Sequence, residues 1–257
     1  MIELRDVSLR IGDRLLLAGL NGQFAPGELV AVLGRNGVGK TTFLRAIAGL
    51  HPTAGGRIAL AGTNVTALTP TQRALRVGFV TSDEVLLDAL RVRDVVAIGR
   101  FPHHRWWQWN EQVDDDTAID AALDAVGIKA FAQRLFSTLS SGERQRVWLA
   151  LGLAQATPVL LLDEPTSHLD LRVAHEILAL LRALARNGKT VVCVLHDLND
   201  AAAYADRIVL LSDGTMLCAE EPDAVLSSDL PERAYGVAME RVRLPNGRLR
   251  VFGAPSP

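Results

Sequence analysis

Apolar residues alternate with polar ones at Ile2, Leu4, Leu9 and Ile11, then run unbroken from Leu29 to Leu33 behind a Pro26-Gly27 turn. Both patterns predict strands, so the chain opens β-rich. From Lys40 the apolar positions Phe43, Leu44, Ile47 and Leu50 change to helical spacing, and Pro52 stops the helix. The stretch from Leu90 to Ala156 is mainly helical in pattern, with Ala118, Ala122, Leu123 and Val126 on one face and Gly127 as a stop. Strand patterns return at Val159–Leu162 and Val191–Leu195, separated by a helix from Leu171 to Arg186 that Asn187-Gly188 closes. Strand, helix, strand in that order predicts a parallel sheet. Near the end, Val242 and Leu244 mirror Leu249 and Val251 around Pro245-Asn246-Gly247, which predicts a hairpin.

Composition narrows the class without naming a function. The 257 residues suffice for one large α/β unit, and 49% hydrophobic with 22% charged residues is ordinary for a globular protein. A net charge of −2 supplies no pull toward nucleic acid or an anionic bilayer, so no nucleic-acid partner is expected. Two cysteines, Cys193 and Cys218, lack metal-ligand or disulfide-framework spacing and read as buried thiols in a reducing compartment. No apolar run reaches the ~20 residues of a membrane span and no secretory signal opens the chain, so a cytoplasmic location is expected.

The chemistry concentrates where predicted strands end. Gly34-Arg35-Asn36-Gly37-Val38-Gly39-Lys40-Thr41, with Thr42 following, fits the phosphate-binding P-loop. Its glycines let backbone N–H groups approach phosphate, Lys40 reaches the β/γ oxygens, and Thr41 offers an oxygen to Mg²⁺. The strand Val159–Leu162 delivers Asp163 and Glu164 to its carboxyl end, the edge where open α/β sheets bind ligands. Asp163 there can hold Mg²⁺ through water, and Glu164 can polarise an attacking water. Without the P-loop the pair would read as a strand-end turn. The next strand ends in His196-Asp197, placing an imidazole on the same edge within reach of a γ-phosphate, although such a histidine by itself would read as structural.

Leu139-Ser140-Ser141-Gly142-Glu143, followed by Arg144-Gln145-Arg146, resembles the LSGGQ signature of ATP-binding-cassette (ABC) ATPases. Leu162-Asp163-Glu164-Pro165-Thr166-Ser167, the D-loop-like Ser167-His168-Leu169-Asp170 and the switch-like His196 follow in that family's order, so the resemblance covers nearly the whole chain. It implies an α/β fold: a P-loop NTPase (RecA-like) core with an antiparallel β subdomain and an inserted α-helical subdomain. The expected division is 1–85 and 157–225 for the ATP-binding core with its β subdomain, 86–156 for the helical subdomain carrying the signature, and 226–257 for a C-terminal tail. The cofactors it implies are ATP and Mg²⁺. It also implies a homodimer in which ATP on one P-loop is capped by Ser140, Ser141, Gly142 and Glu143 of the other copy, with the D-loop Asp170 beside it. Glu164 and His196 are the residues it assigns to hydrolysis.

Gly99-Arg100-Phe101-Pro102-His103 resembles the GR-x-PH stretch of ATPases from importers of iron-siderophores, haem and cobalamin, and Glu221–Leu226 with Tyr235-Gly236 is similar to their C-terminal segment. The resemblance therefore implies two transmembrane permease subunits, an indirect substrate-binding-protein partner, and a place on the cytoplasmic face of the membrane. Three departures stand out. Ile11 precedes Gly12 where the family has an aromatic for adenine, Ser141 replaces a signature glycine, and Thr81-Ser82 stands where a Mg²⁺-contacting glutamine is usual. Ser82 offers a shorter oxygen ligand there, and Asp83 or Glu84 could swing in with a charged one, since hard Mg²⁺ accepts any oxygen at suitable distance. These departures motivate a second reading, an ATP-dependent dimerising module with negligible turnover. Trp106, Trp107 and Trp109 read as helical-subdomain packing or as part of a coupling-helix groove, and Asp114-Asp115-Asp116 as a solvated helix start. A ribosome- or DNA-acting cassette protein, a GTPase and a small-molecule kinase each lack their expected features: paired cassettes or long coiled coils, a guanine-reading Asn-Lys-x-Asp, and a reason for the signature.

Overall fold

A computed structural model describes residues 1–81, 87–104 and 112–254 of the chain. Two antiparallel strands, β1 (Ile2–Ile11) and β2 (Arg14–Phe24), open it, and β3 (Leu29–Leu33) follows. Every residue of β3 is buried, as expected of a strand in the middle of a covered parallel sheet. The loop after β3 leads into α1 (Lys40–Ile47), then β4 (Gly55–Leu60), β5 (Thr63–Asn64), α2 (Pro70–Ala74) and β6 (Val77–Val80). α3 (Val92–Ala97), a 3-10 turn over Ile98–His103, α4 (Gln112–Ala125) and α5 (Ser141–Ala154) come next. The chain then returns to the sheet through β7 (Val159–Leu162), α6 (Leu171–Arg186), β8 (Thr190–Val194), α7 (Leu198–Tyr204), β9 (Arg207–Ser212) and β10 (Thr215–Glu220). α8 (Pro222–Ser227), α9 (Leu230–Tyr235) and the hairpin β11 (Met239–Arg243) and β12 (Leu249–Gly253) finish it.

Strand order explains how one sheet edge collects the chemistry. The large sheet runs β10-β9-β3-β8-β7-β6, parallel except for β10, and a second sheet runs β2-β1-β4-β5 with antiparallel pairings. β3 and β7 both flank β8, so the loops leaving all three strands emerge side by side. The two faces of the sheet carry separate apolar cores. Leu29, Ala31, Leu33, Val191 and Cys193 face the helices between β6 and β7 together with α6, whereas Val30, Val32, Val192 and Val194 face α1 and the antiparallel sheet. On α6, Ile177, Leu178, Leu181 and Ala185 form the buried stripe, and Asp170 caps its start by accepting from the Val173 amide at 3.0 Å. The predicted tail hairpin is present, but its register is one residue off the expected mirror: Val251 pairs with Arg241 and Leu249 with Arg243, while Val242 stands opposite Arg250 and is exposed, on the other face from the buried Leu249 and Val251.

Several expectations need correction. The helix after the P-loop ends at Ile47, and Leu50 is 63% exposed instead of lying on the buried face, because Gly49 turns the chain left-handed at φ 69°. β2 went unread, since its apolar residues Leu15, Leu16 and Leu17 are consecutive and hide the period-two signal. Cys193 is buried as expected, but Cys218 is only partly so. Asp115 does not belong to a solvated helix start: its side chain is 14% exposed, accepts from Arg100 Nε at 2.8 Å and lies 2.7 Å from His104 Nε2. Asp116 pairs with Arg93.

The Arg100–Asp115 pair belongs to a junction at the end of α5. Arg100 donates to the Ala154 carbonyl at 2.8 Å and the His103 ring lies 2.9 Å from the Gln155 carbonyl, so two orphan carbonyls at this helix end find partners in the Gly99–His103 stretch. Gly99 permits the approach, because a Cβ there would stand 2.3 Å from the Leu151 carbonyl oxygen. The Gln155 side chain in turn donates to the carbonyls of Ala74 and Val77 at 2.6 and 3.1 Å, tying the end of α5 to the start of β6.

Candidate functional site

The phosphate loop is wound around its own lysine. Lys40 Nζ donates to the Gly34 carbonyl at 2.8 Å and to the Arg35 carbonyl at 3.2 Å, and the side chain is only 6% exposed. Gly34 has φ 145°, and a Cβ there would lie 2.4 Å from the Leu211 carbonyl oxygen, so no other residue fits between β3 and the end of β9. Burial draws the Lys40 ammonium below its ordinary pKa against the opposing charges of Glu164 and Asp163, so both carboxylates reach it electrostatically.

A cavity of about 630 Å³ opens over this loop, lined by Asn36, Gly37, Lys40 and Thr41 on one side and by Glu164, Ser167, His168 and His196 on the other. Glu164 leaves β7 in the left-handed region at φ 51°, an uncommon conformation for a residue with a Cβ. That twist turns its carboxylate across the edge: Oε1 lies 2.9 Å from His196 Nε2, and Oε2 accepts from the Ser167 hydroxyl at 3.0 Å. Partial burial works to raise the Glu164 pKa. The hydrogen bonds from His196 and Ser167, with the Lys40 charge, outweigh it and leave the group below the usual carboxylate range. Glu164 is therefore ionised at neutral pH, able to accept a proton but not to donate one.

The oxygens near Lys40 suit a hard cation. Thr41 lines the cavity, and the Asp163 side chain, 8% exposed, shares the field of Lys40 with Glu164. Hydroxyl and carboxylate are magnesium donors, and among the described residues no cluster of three His, Cys, Asp or Glu side chains offers a softer metal a site.

Ser140 to Glu143 stand apart from this cavity, at the start of α5. Ser140 is the N-cap of a reciprocal box: its hydroxyl accepts from the Glu143 amide at 3.3 Å, and the Glu143 carboxylate accepts from the Ser140 amide at 2.7 Å. That backbone hydrogen bond outweighs burial and holds the Glu143 pKa below the usual range. Ser140 and Ser141 are exposed, and the Ser141 and Gly142 amides, which a helix cannot bond internally, face the open end. The result is a capped helix start on the surface whose first amides have no intrahelical partners. Asp170, the other residue expected to reach a second copy's nucleotide, caps α6 instead of lining the cavity. Ser140→Ala removes the cap and lowers stability by about 1 kcal/mol, read as a lower midpoint in thermal or urea unfolding.

The family model for ABC transporters matches residues 17–167. The chain belongs to the ABC transporter family. It is an ATPase of that family's nucleotide-binding type, and its hemin import ATP-binding relative from Gloeobacter violaceus is 41% identical over 253 residues, 95% of this chain and 90% of that protein. The ferric enterobactin transport ATP-binding protein of Escherichia coli is 35% identical over 233 residues, 90% of this chain and 85% of the relative. Among solved structures, a metal-chelate type ABC transporter in an inward-facing conformation superposes with a TM-score of 0.84 at 27% identity, covering 100% of this chain and 97% of that one. A bacterial ABC transporter cassette solved as a dimer gives 0.76 at 29% identity, covering 86% and 99%. Both are consistent with a P-loop NTPase fold.

Within this ABC ATPase the departures fall unevenly. Ser82, Asp83 and Glu84 lie outside the described residues, as do Trp106, Trp107 and Trp109. Ile11 is 56% exposed at the β1–β2 turn. A second cavity of about 350 Å³ continues from Asn36 and Gly37 over Arg14, Leu15 and Leu16, with Arg35 and Val38 on its loop side and no aromatic residue in its wall. Thr42 lies behind Thr41 on the first turn of α1. Sequence reasoning missed Ser167 as a partner of Glu164, and Arg14 and Leu16 as walls of the cavity beside the P-loop. A hydroxyl three residues after a carboxylate was the available signal for Ser167; the other two carry none.

Proposed function

We propose that this chain is the ATP-hydrolysing subunit of a binding-protein-dependent importer, energising uptake of an iron-siderophore, haem or cobalamin-type substrate. The carrying observation is the Glu164–His196 pair at 2.9 Å on the wall of the Lys40 cavity. The names of the hemin and ferric enterobactin import relatives support the cargo class. A cobalamin import ATP-binding protein of Halobacterium salinarum, 38% identical over 236 residues that make up 91% of this chain and 58% of that protein, supports it too.

In this reading the phosphates of ATP sit on the amides of Gly34, Arg35, Asn36, Gly37, Val38 and Gly39, with Lys40 against the β/γ oxygens and Thr42 beside them. Thr41 and Asp163, with Ser82 as a further oxygen, would hold Mg²⁺, which when bound would supply positive charge against those phosphate oxygens. Glu164 accepts a hydrogen bond from the attacking water, and Ser167 and His196 keep its carboxylate turned toward the cavity. In the closed homodimer the His196 ring reaches the γ-phosphate, and Ser140, Ser141, Gly142 and Glu143 of the second copy cap it with the free amides of a helix start. Asp170 contacts the same interface. Closure and reopening move the 86–156 helical subdomain, which passes the motion to two permease subunits at the cytoplasmic face of the membrane, fed by a substrate-binding protein. Among the described residues no helix is long and apolar enough to cross a membrane, which suits a peripheral attachment.

The test reconstitutes the chain in vesicles with its permease and binding-protein partners. ATP-dependent uptake of one of the three cargo classes, with phosphate release stimulated by the loaded binding protein, is expected. Nucleotide-dependent dimerisation without phosphate release even in the assembled complex would favour the non-hydrolysing module instead.

A further inference from the structure

The C-terminal residues 222–253 take no part in the site as described, yet they are bonded to the segment that carries His196. The link starts beside the switch histidine. Asp197, next to His196, caps α7 by accepting from the Asn199 and Asp200 amides at 2.6 and 2.9 Å. The Asn199 side chain then exchanges two hydrogen bonds with one residue of β12, Nδ2 donating to the Val251 carbonyl at 3.0 Å and Oδ1 accepting from the Val251 amide at 2.9 Å. A carboxamide bonded in this way imitates a neighbouring strand, so α7 is fastened to the hairpin as a strand would be. Tyr235, at the end of α9, packs against the same main core that holds Leu198 and Ala201 of α7.

The tail behind this link is held together internally. Arg241 grips both Glu232 oxygens at 2.7 and 2.8 Å, donates to the Leu226 carbonyl at 2.7 Å and also bonds the Ser228 carbonyl. Val225, Leu226, Ala234, Leu249 and Val251 are buried in the same core as Leu198 and Ala201 of α7. The tail is thus part of the folded unit and is fastened to the segment carrying His196.

We propose that Asn199 is a positioning residue of the ATPase site, through which residues 222–253 set the position of the His196 segment. This rests on the reading of His196 as the γ-phosphate switch. Any shift of His196 toward nucleotide drags the start of α7 and loads the Asn199–Val251 pair, which makes the hairpin responsive to the state of a site it does not line. Asn199 thus acts on the switch and hence on turnover, with little effect on nucleotide binding.

The experiment measures kcat and KM for MgATP in Asn199→Leu and Asn199→Asp, with His196→Ala as the reference. Losing both bonds in Asn199→Leu lowers kcat about tenfold with KM within about twofold. Asn199→Asp, which retains the acceptor for the Val251 amide but sets a carboxylate against the Val251 carbonyl, is no better. Hydrogen exchange of full-length Glu164→Gln adds a readout that needs no tail variant: amides of 249–253 exchange more slowly with saturating MgATP than without it. If Asn199→Leu does not accumulate as folded protein, this exchange result decides. Parent-like kcat in Asn199→Leu while His196→Ala loses turnover overturns the proposal and leaves the switch intact, as does unchanged exchange at 249–253. Parent-like turnover in His196→Ala removes the switch reading itself, and the proposal with it.

Discussion

Glu164→Gln leaves nucleotide binding within a few-fold of the parent and cuts steady-state phosphate release by at least about 100-fold, a barrier increase of about 2.7 kcal/mol. The amide is nearly isosteric: its oxygen still accepts from His196 Nε2, now 2.9 Å from Glu164 Oε1, so the cavity keeps its shape. What disappears is the charge. Held below the ordinary carboxylate range by His196, Ser167 and Lys40 in spite of burial, Glu164 is an anion at the pH of the assay, whereas glutamine cannot take a proton from water. Because MgATP binds without turning over, the variant accumulates as a nucleotide-stabilised dimer visible by size-exclusion chromatography with light scattering. Turnover within about threefold of the parent would remove Glu164 from the chemistry.

Lys40→Ala is expected to fail one step earlier. The ammonium organises the loop through the Gly34 and Arg35 carbonyls, the same charge that is proposed to meet phosphate. Its removal leaves those carbonyls without their donor and takes away the positive charge that offsets Glu164 and Asp163 beside a polyanion. Affinity for MgATP falls by about 30-fold or more, and the upward shift in thermal midpoint that saturating nucleotide gives the parent, about 2.7 kcal/mol at one hundred times Kd, is nearly lost. The midpoint without nucleotide changes little, because burying the charge already costs the parent much of what its bonds contribute. The two variants separate binding from hydrolysis: one retains the thermal shift and loses turnover, the other loses both.

Legibility in the sequence followed the range of the interaction. Gly34 to Thr41 could be read because a phosphate cradle is made from consecutive residues, and the capping box of Ser140 and Glu143 is just as local. The hairpin around Pro245-Asn246-Gly247 was legible for the same reason. The Gly99–His103 stretch was legible only as a resemblance, and its physical task appeared in three dimensions, where Arg100 and His103 complete the end of a helix more than fifty residues away in the chain. Asp115 shows the opposite failure. Three consecutive aspartates look solvated in any local reading, and only the fold brings Arg100 and His104 to one of them.

By itself the sequence determined the phosphate loop, the strand-end Asp163, Glu164 and His196, the alternation of strands with helices, and the family resemblance, since each depends on residue identity over short spans. The tertiary structure decided which of these residues meet. Placing β8 between β3 and β7 brings Glu164, His196 and Lys40 around one cavity, and the left-handed backbone at Glu164 turns its carboxylate toward His196. The same packing sets the Ser140 helix start on the surface, apart from that cavity, and fastens the segment after His196 to the C-terminal hairpin through Asn199. Strand order and side-chain burial are properties of the whole packed chain, set by long-range burial of apolar faces, and no short window of residues carries them.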